Sequence, residues 1–194
     1  KSGRLKLRYL PTDDLDMTLS FDIQNHDDGA YSMRRTGRNS FVQSGRYGVD
    51  DPYHYSHDYA GSQKNDCWGV ALNSEYNTNY GKLHSVTGYR YFDSKEKMDA
   101  DFTPADMLRK NYNQEDSDFS QEFRFTSPED SGPLEWLTGG HFFLLNSNTE
   151  ITNLYGADSN ASGSNLKFKT DKDNAGGAVF GQGTYTFWDD FDLT

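Results

Sequence analysis

Apolar and polar residues alternate with a period of two along several stretches of this chain. The clearest run extends from Leu15 to Gln24, where each odd-numbered position is apolar and each even-numbered position is polar. Successive side chains of a β-strand point to opposite faces of the sheet, so this pattern predicts a strand with one apolar and one polar face. Its length of about ten residues is what a tilted strand needs to cross a bilayer.

The alternating stretches are joined by residues that favour tight turns. Residues 4–9 alternate in the same way, and Pro11-Thr12-Asp13-Asp14 separates them from the run at 15–24. Further strands are predicted at 68–76, 82–93, 119–126, 134–146 and 175–186, with further turns at 78–81, 127–133 and 188–190. Glycines interrupt the last two of these strands, so the pattern leaves open which of their residues share a face.

Short and long connections alternate along the chain. Four are short, and three long loops are expected at about 27–65, 94–117 and 147–173. Short turns at one end of the strands and long loops at the other are typical of bacterial outer-membrane barrels. Aromatic residues that lie near the short turns are Tyr9, Tyr76, Tyr80, Phe125, Trp136, Tyr185, Phe187 and Trp188. Such rings at a common height favour an interfacial girdle.

These patterns predict an all-β protein, an antiparallel up-and-down transmembrane β-barrel with one face suited to lipid and the other to a wet lumen. A soluble sandwich shows the same alternation with its apolar face turned inward, so periodicity does not separate the two. The last four residues resemble the start of an eighth strand. We therefore expect residues 1–194 to be a fragment of about seven or eight strands of a larger barrel.

Composition and charge exclude several classes of function. The chain has a net charge of −11, whereas a nucleic-acid-binding surface is basic. Aromatic residues make up 15% of it, although disordered chains are poor in them. Its single cysteine, Cys67, excludes an internal disulfide and lies in a strand-like run, where we interpret it as a small packed side chain. No apolar run approaches the roughly 18 residues of a transmembrane helix.

Five stretches carry a resemblance to a known family. They are GRLKLRYLPTDDLD at 3–16, SVTGYR at 85–90, FSQEFRFTSP at 119–128, WLTGG at 136–140 and AVFGQG at 178–183. In order and spacing they resemble the barrel of TonB-dependent receptors of the siderophore-uptake type. The resemblance implies a barrel of about 22 strands in the bacterial outer membrane, of which this chain is the first third or so.

The resemblance also implies a function without covalent chemistry. A receptor of this type imports a ferric siderophore or a similar scarce nutrient, with energy supplied by a TonB complex. The N-terminal plug and the TonB-contact segment are expected outside this chain, and no enzymatic activity or cofactor is implied. Receptors for siderophores, haem, vitamins and glycans share this barrel, so the ligand stays open.

The first long loop contains the candidate ligand-binding residues: Arg34, Arg35, Arg38, Arg46, Tyr53 and Tyr55. Guanidinium groups make charge-assisted contacts to anions, and tyrosine adds flat apolar area with a hydroxyl. In the same loop His54 and His57, with Asp50, Asp51 and Asp58, are weak candidates for a metal site, and we predict none.

Three other classes of function compete with the receptor. They are a passive porin-like channel, a secreted β-sandwich module that binds carbohydrate, and a glycosidase. Paired acids at 13–14, 27–28, 50–51 and 189–190 could serve a glycosidase, but all lie in turns or loops, where Asp is favoured locally. Asp99, Asp101 and Asp106 in the second long loop do not match the calcium loop of an EF-hand.

Overall fold

The computed structural model describes residues 1–30, 56–128, 132–188 and 191–194, and the regular elements among them are eight β-strands. The strands are β1 Ser2–Thr12, β2 Leu15–Asp28, β3 Ser62–Thr78, β4 Gly81–Asp99, β5 Leu108–Thr126, β6 Leu134–Tyr155, β7 Asn165–Phe187 and β8 Phe191–Leu193. They form one open sheet in which each strand pairs antiparallel with its neighbours in sequence. The predicted all-β, up-and-down arrangement of antiparallel strands is confirmed.

Strands β4 to β7 are longer than the sequence pattern predicts, and the last two long loops are correspondingly shorter. The connections span 100–107 and 156–164, so the expected loops at 94–117 and 147–173 were wrong in extent. The added strand residues are mostly polar, and their few apolar members, such as Ile151 and Phe168, give only a weak alternating signal. Their backbone groups pair nevertheless, as in Asn113, which lies between Lys95 and Glu150.

The predicted turns at 11–14 and 78–81 are present as short connections. At the second, the hydroxyl of Thr78 accepts a hydrogen bond from the Tyr80 N–H at 3.1 Å and donates one to the Gly81 carbonyl at 2.7 Å. Gly81 has a φ of 140°, and a Cβ there would lie 2.1 Å from the Thr126 carbonyl oxygen. Glycine is therefore the only residue that fits at position 81, where β4 begins.

The strand register shows which side chains share a face of the sheet. Residues opposite each other belong to the same face, so the pairings of Leu19 with Leu72 and of Leu72 with Thr87 define one face, here called the apolar face. Continuing across β5, this row reaches Phe142 and Gly177. The register therefore shows which residues of β6 and β7 lie on the apolar face, a point that the sequence left open. The opposite side, which carries Arg8, Asp22 and Arg90, is called the polar face.

The sheet has almost no interior of its own. Among the described residues Ala105 is the one buried hydrophobic residue, and no side chain is less than 2% exposed. Large apolar side chains are open to the surroundings instead, including Leu5 at 55% exposure and Val179 at 91%. A single layer leaves its apolar face uncovered, so the face needs a second layer or lipid against it.

Candidate functional site

The ligand residues predicted from the sequence lie outside the described part of the chain. This holds for Arg34, Arg35, Arg38, Arg46, Tyr53, Tyr55 and His54, and for the acids Asp50 and Asp51. His57 is described, and the centre of its ring lies 6.3 Å from that of Phe102. Asp58, the other described member of the weak metal candidate, belongs to a different cluster.

Four aspartates gather at the end of the sheet where the longer connections lie, and they are called the rim cluster: Asp58, Asp99, Asp101 and Asp106. Asp58 comes from the segment before β3, Asp99 ends β4, and the other two lie in the β4–β5 connection. One carboxylate oxygen from each of Asp58, Asp99 and Asp101 lies within 4.8 Å of the other two. Asp99 and Asp101 are buried, with 3% and 8% exposure.

Backbone hydrogen bonds fix two of these carboxylates. Oδ1 of Asp99 accepts from the N–H groups of Asp101 at 3.1 Å and Phe102 at 2.8 Å. Phe102 adopts a left-handed φ of 56°, which turns the chain back over Asp99. Asp101 accepts from the N–H groups of Thr103 at 2.9 Å and Leu108 at 2.8 Å, so its side chain closes the connection. The carboxylates are thus held in place before any ligand arrives.

Arg109, the second residue of β5, joins the rim cluster to its neighbours. Its Nη2 donates to Asp58 Oδ2 at 2.9 Å and lies 3.1 Å from Asp106 Oδ1, where the geometry gives an ion pair without a hydrogen bond. Its guanidinium lies 4.9 Å from the centre of the Tyr59 ring. The hydrogen bond to Asp58 raises the pKa of Arg109 above its usual value. One guanidinium thus contacts two of the four carboxylates.

Three carboxylate oxygens of the rim cluster are buried and accept no hydrogen bond: Asp58 Oδ1, Asp99 Oδ2 and Asp106 Oδ1. The last of these lies 3.1 Å from Arg109 Nη2 in an ion pair. Burial raises the pKa of Asp99, opposed by the Phe102 N–H and assisted by the charge of Asp101 and by a hydrogen bond between the side chains of Asp99 and Asp58. Buried anionic oxygens without a partner are costly, so this group favours uptake of a proton or of a cation. A set of oxygen ligands suits a hard cation such as Ca²⁺ or Mg²⁺.

The sequence indicated only part of this cluster. Asp99 and Asp101 lie in the predicted second loop, but their spacing does not match an EF-hand. In the sequence Asp58 lies next to His57, 41 positions before Asp99. The cluster depends on the β3–β4 pairing, which brings Ser62, and the segment before it, to the same end of the sheet as Lys97. Spacing along the chain carries no signal for that contact.

The apolar face carries an uncharged band. On β3, from the short turn upward, the band consists of Tyr76, Ser74, Leu72, Val70 and Trp68. Four neighbouring rows of the sheet, through Leu15, Met17, Leu19 and Phe21, contain no charged residue on this face among the described strands. From Tyr76 to Trp68 the strand rises by about 27 Å, or about 20 Å of height at the tilt usual in barrels, and the four uncharged rows up to Val70 cover about 15 Å of that height.

Aromatic rings border this band at both heights. Near the short turns, the rings of Phe125 and Trp136 meet edge to face at 5.2 Å. At the other border Trp68 contacts Tyr89 at 5.4 Å and Tyr91 at 6.0 Å between ring centres. Phe125 and Trp136, two of the predicted aromatic residues, thus lie at the lower border, and the upper border is a feature that the turn-based pattern did not indicate.

Charged residues become frequent directly above the upper aromatic border on the same face. One row contains Asn25, Asp66, Asp93, Glu115, Asn148 and Asp171. The next contains Asp27, Lys64, Lys95, Asn113, Glu150 and Lys169. Ion pairs link them, as between Lys95 and Asp93 at 2.8 Å, and the ammonium groups of Lys167 and Lys169 lower the pKa of Glu150. The row below these two, through Trp68, contains one charged residue, Asp173 on β7, so the change from apolar to charged is completed over two rows.

The polar face carries ion pairs at the same height as the uncharged band. Arg8 holds Asp16 with Nη2 2.6 Å from Oδ2, and Arg124 pairs with Glu122. Arg90 on β4 reaches across β3 to Asp22 on β2, at 3.3 Å. Gly69 lies between them in the row, and the absence of a side chain there leaves room for the guanidinium.

No protein-family model matches the chain, and no solved structure matches it with statistical significance. Within the described ranges, no helix is long and apolar enough to cross a membrane.

Proposed function

We propose that this sheet is part of the wall of a bacterial outer-membrane β-barrel, and that the barrel is a receptor of the TonB-dependent type. It binds a ferric siderophore or a similar scarce nutrient and imports it with energy from a TonB complex. The observation that carries the proposal is the uncharged band on the apolar face, bordered by aromatic rows and followed by charged rows.

Lipid is the cover that fits this band best. The height from Tyr76 to the aromatic border at Trp68, about 20 Å before the border side chains are added, is close to the roughly 25 Å apolar belt of outer-membrane barrels. Aromatic rings at both borders match the girdles found at membrane interfaces. The alternative of a secreted carbohydrate-binding sandwich needs a second sheet, and the described strands all belong to one.

The polar face is assigned to the lumen of the barrel. Its charged groups lie opposite the band, where a bilayer would make them costly, and they are paired across strands. In an outer-membrane barrel, residues that face lipid and residues that face the lumen alternate along each strand. Pairing of Arg90 with Asp22 across β3 also ties three strands together on the inner side.

The choice of a receptor over a passive channel rests on the sequence resemblance and on the first long loop. That loop contributes Arg34, Arg35, Arg38 and Arg46 with Tyr53 and Tyr55, which suit an anionic chelate. Conductance separates the two functions, since the complete protein in a planar bilayer stays closed if it is a plugged receptor and gives a steady open conductance if it is a porin.

Ligand binding tests the receptor assignment. The complete protein in detergent is titrated with a panel of ferric siderophores, haem and cobalamin, and we expect one of them to bind. Replacing Arg34, Arg35, Arg38 and Arg46 together by alanine should weaken that binding at least about 10-fold, because each hydrogen bond to a charged group contributes about 1.5–3 kcal/mol.

The matched control is Arg8→Ala, which removes an arginine of the polar face near the short turns. It should leave the affinity unchanged. Absence of binding by every ligand of the panel, or equal affinity in the loop variant and the unmodified protein, would contradict the assignment of these residues.

A further inference from the structure

An open groove of about 240 Å³ crosses strands β4 to β7 above the upper aromatic border, on the same side of the sheet as the uncharged band. One row of the register crosses it from strand to strand, with Asp93 and Asn148 in the row below. The groove therefore combines ammonium, carboxylate and amide groups. The members of the crossing row are Lys95, Asn113, Glu150 and Lys169.

The two ammonium groups of the groove are open to the surroundings, although each lies beside a carboxylate. Nζ of Lys95 lies 2.8 Å from Asp93 Oδ2, and Nζ of Lys169 lies 3.2 Å from Glu150 Oε2. The lysine side chains are 61% and 65% exposed, whereas those of Asp93 and Glu150 are 24% and 28% exposed. Exposed ion pairs contribute little to stability, so the ammonium groups remain available to an anion from outside.

Charge is layered on this side of the sheet. The row through Asp93 contains four carboxylates and no lysine or arginine among its described residues. The next two rows, through Lys95 and Lys97, contain five lysines and two carboxylates, a net charge of +3. A ligand that presents anionic groups to the upper rows and hydroxyl groups to the lower row matches this order, because carboxylates accept hydrogen bonds from hydroxyls. The five lysines are Lys64, Lys95, Lys97, Lys167 and Lys169.

The groove lies at the height expected for the headgroups of an outer leaflet. On β4, Lys95 is four residues beyond Tyr91 of the aromatic border, which is about 13 Å of strand or about 10 Å of height. This end of the sheet carries the longer connections, which face outward in outer-membrane barrels. Acyl chains against the uncharged band and a headgroup in the groove therefore form one continuous contact. This inference rests on the proposed assignment of the apolar face to lipid.

We propose that the groove binds the phosphorylated sugar headgroup of a glycolipid in the outer leaflet. Its phosphates contact the ammonium groups of Lys95 and Lys169, and its sugar hydroxyls donate to the carboxylates of Asp93 and Glu150. Pockets for complete small ligands measure roughly 300–1,000 Å³, so this smaller, open groove suits part of a headgroup. A simple phospholipid fits less well, because it offers few hydroxyls to the row of carboxylates.

Lipid binding to the complete protein tests the proposal. The protein in neutral detergent is titrated with lipid A, an acylated and diphosphorylated glucosamine disaccharide, and separately with its dephosphorylated form. Native mass spectrometry measures the bound lipid. We expect lipid A to bind at least about 10-fold more tightly, because the dephosphorylated form loses the charged contacts. Equal binding of the two lipids would overturn the proposal.

Paired substitutions locate the headgroup. Lys95→Gln with Lys169→Gln removes both ammonium groups of the groove and should weaken lipid A binding at least about 10-fold, with folding checked by circular dichroism. The matched control is Lys110→Gln with Lys172→Gln, which removes the same charge from the opposite side of β5 and β7. It should bind lipid A as the unmodified protein does. Unchanged binding in the groove variant, or an equal loss in the control, would overturn the placement of the headgroup.

Insertion into bilayers separates this inference from the proposed function. A protein that inserts into phosphatidylcholine bilayers but does not prefer lipid A keeps its membrane assignment, and the inference about the groove is overturned. A protein that inserts into bilayers neither with nor without lipid A contradicts the proposed function itself.

Discussion

At the scale of single residues, small side chains on the polar face make room for large ones. A Cβ at Gly176 would lie 2.5 Å from the Phe143 ring, and a Cβ at Gly139 would lie 2.6 Å from the Phe180 ring and 2.5 Å from the Phe123 carbonyl oxygen. Two phenylalanines thus lie over glycines of the neighbouring strand. In the sequence these glycines only interrupt the alternating pattern. The space that they leave for a phenylalanine is visible only once the partner strand is known.

Gly139 is expected to tolerate no larger residue. Gly139→Ala forces a methyl group against the Phe123 carbonyl oxygen, which belongs to the backbone ladder and has little freedom to move. We expect it to lower the free energy of unfolding by about 1–3 kcal/mol, the usual cost of overpacking. Chemical denaturation of the complete protein in detergent measures this change.

Gly181→Ala is the control, since that glycine lies in the paired strand β7 and a Cβ there makes ordinary contacts at 3.5 Å. It should change the stability little. Equal stability of the two variants would show that the contact at Gly139 imposes no constraint.

At the scale of the elements, strand type and pairing order were predictable and strand length was not. Alternation over 15–24 and the turn residues at 11–14 and 78–81 are local signals, and the hairpins they predict are present. The extensions of β4 to β7 are mostly polar, with only scattered apolar residues such as Ile151 and Phe168, so side-chain patterning is weak there. What keeps them as strands is backbone pairing with neighbours on both sides, a non-local cause.

Amide hydrogen exchange tests these extensions directly. Residues 147–154 of β6 were expected in a loop, yet each of them pairs with β5 and β7. We expect their amides to exchange at least about 100-fold more slowly than in an unstructured peptide, because every N–H of an inner strand is used in the ladder. Exchange at the unstructured rate would contradict the pairing. The reference is the same segment measured after denaturation.

At the scale of the whole molecule, the sheet has two surfaces of opposite character and almost no core. Nothing in a local pattern distinguishes a lipid-facing band from the interior of a sandwich, because both alternate with period two. The register adds what the sequence lacked: uncharged rows aligned across the strands, aromatic borders, and charged rows directly above. The rim cluster likewise exists only once Asp58 and Asp99 meet.

The central claim is that the apolar face contacts lipid, and spin labels on adjacent residues of β3 test it most directly. In a Cys67→Ser background, Leu72→Cys and Asn73→Cys place labels on opposite faces, and Lys95→Cys provides a reference above the band. The complete protein is reconstituted in bilayers, and collisions with oxygen and with a water-soluble nickel complex are measured. The label at 72 should collide often with oxygen and rarely with the nickel complex. The label at 73, on the opposite face, should not show this combination. Nickel access at 72 equal to that at 95 would contradict the membrane assignment.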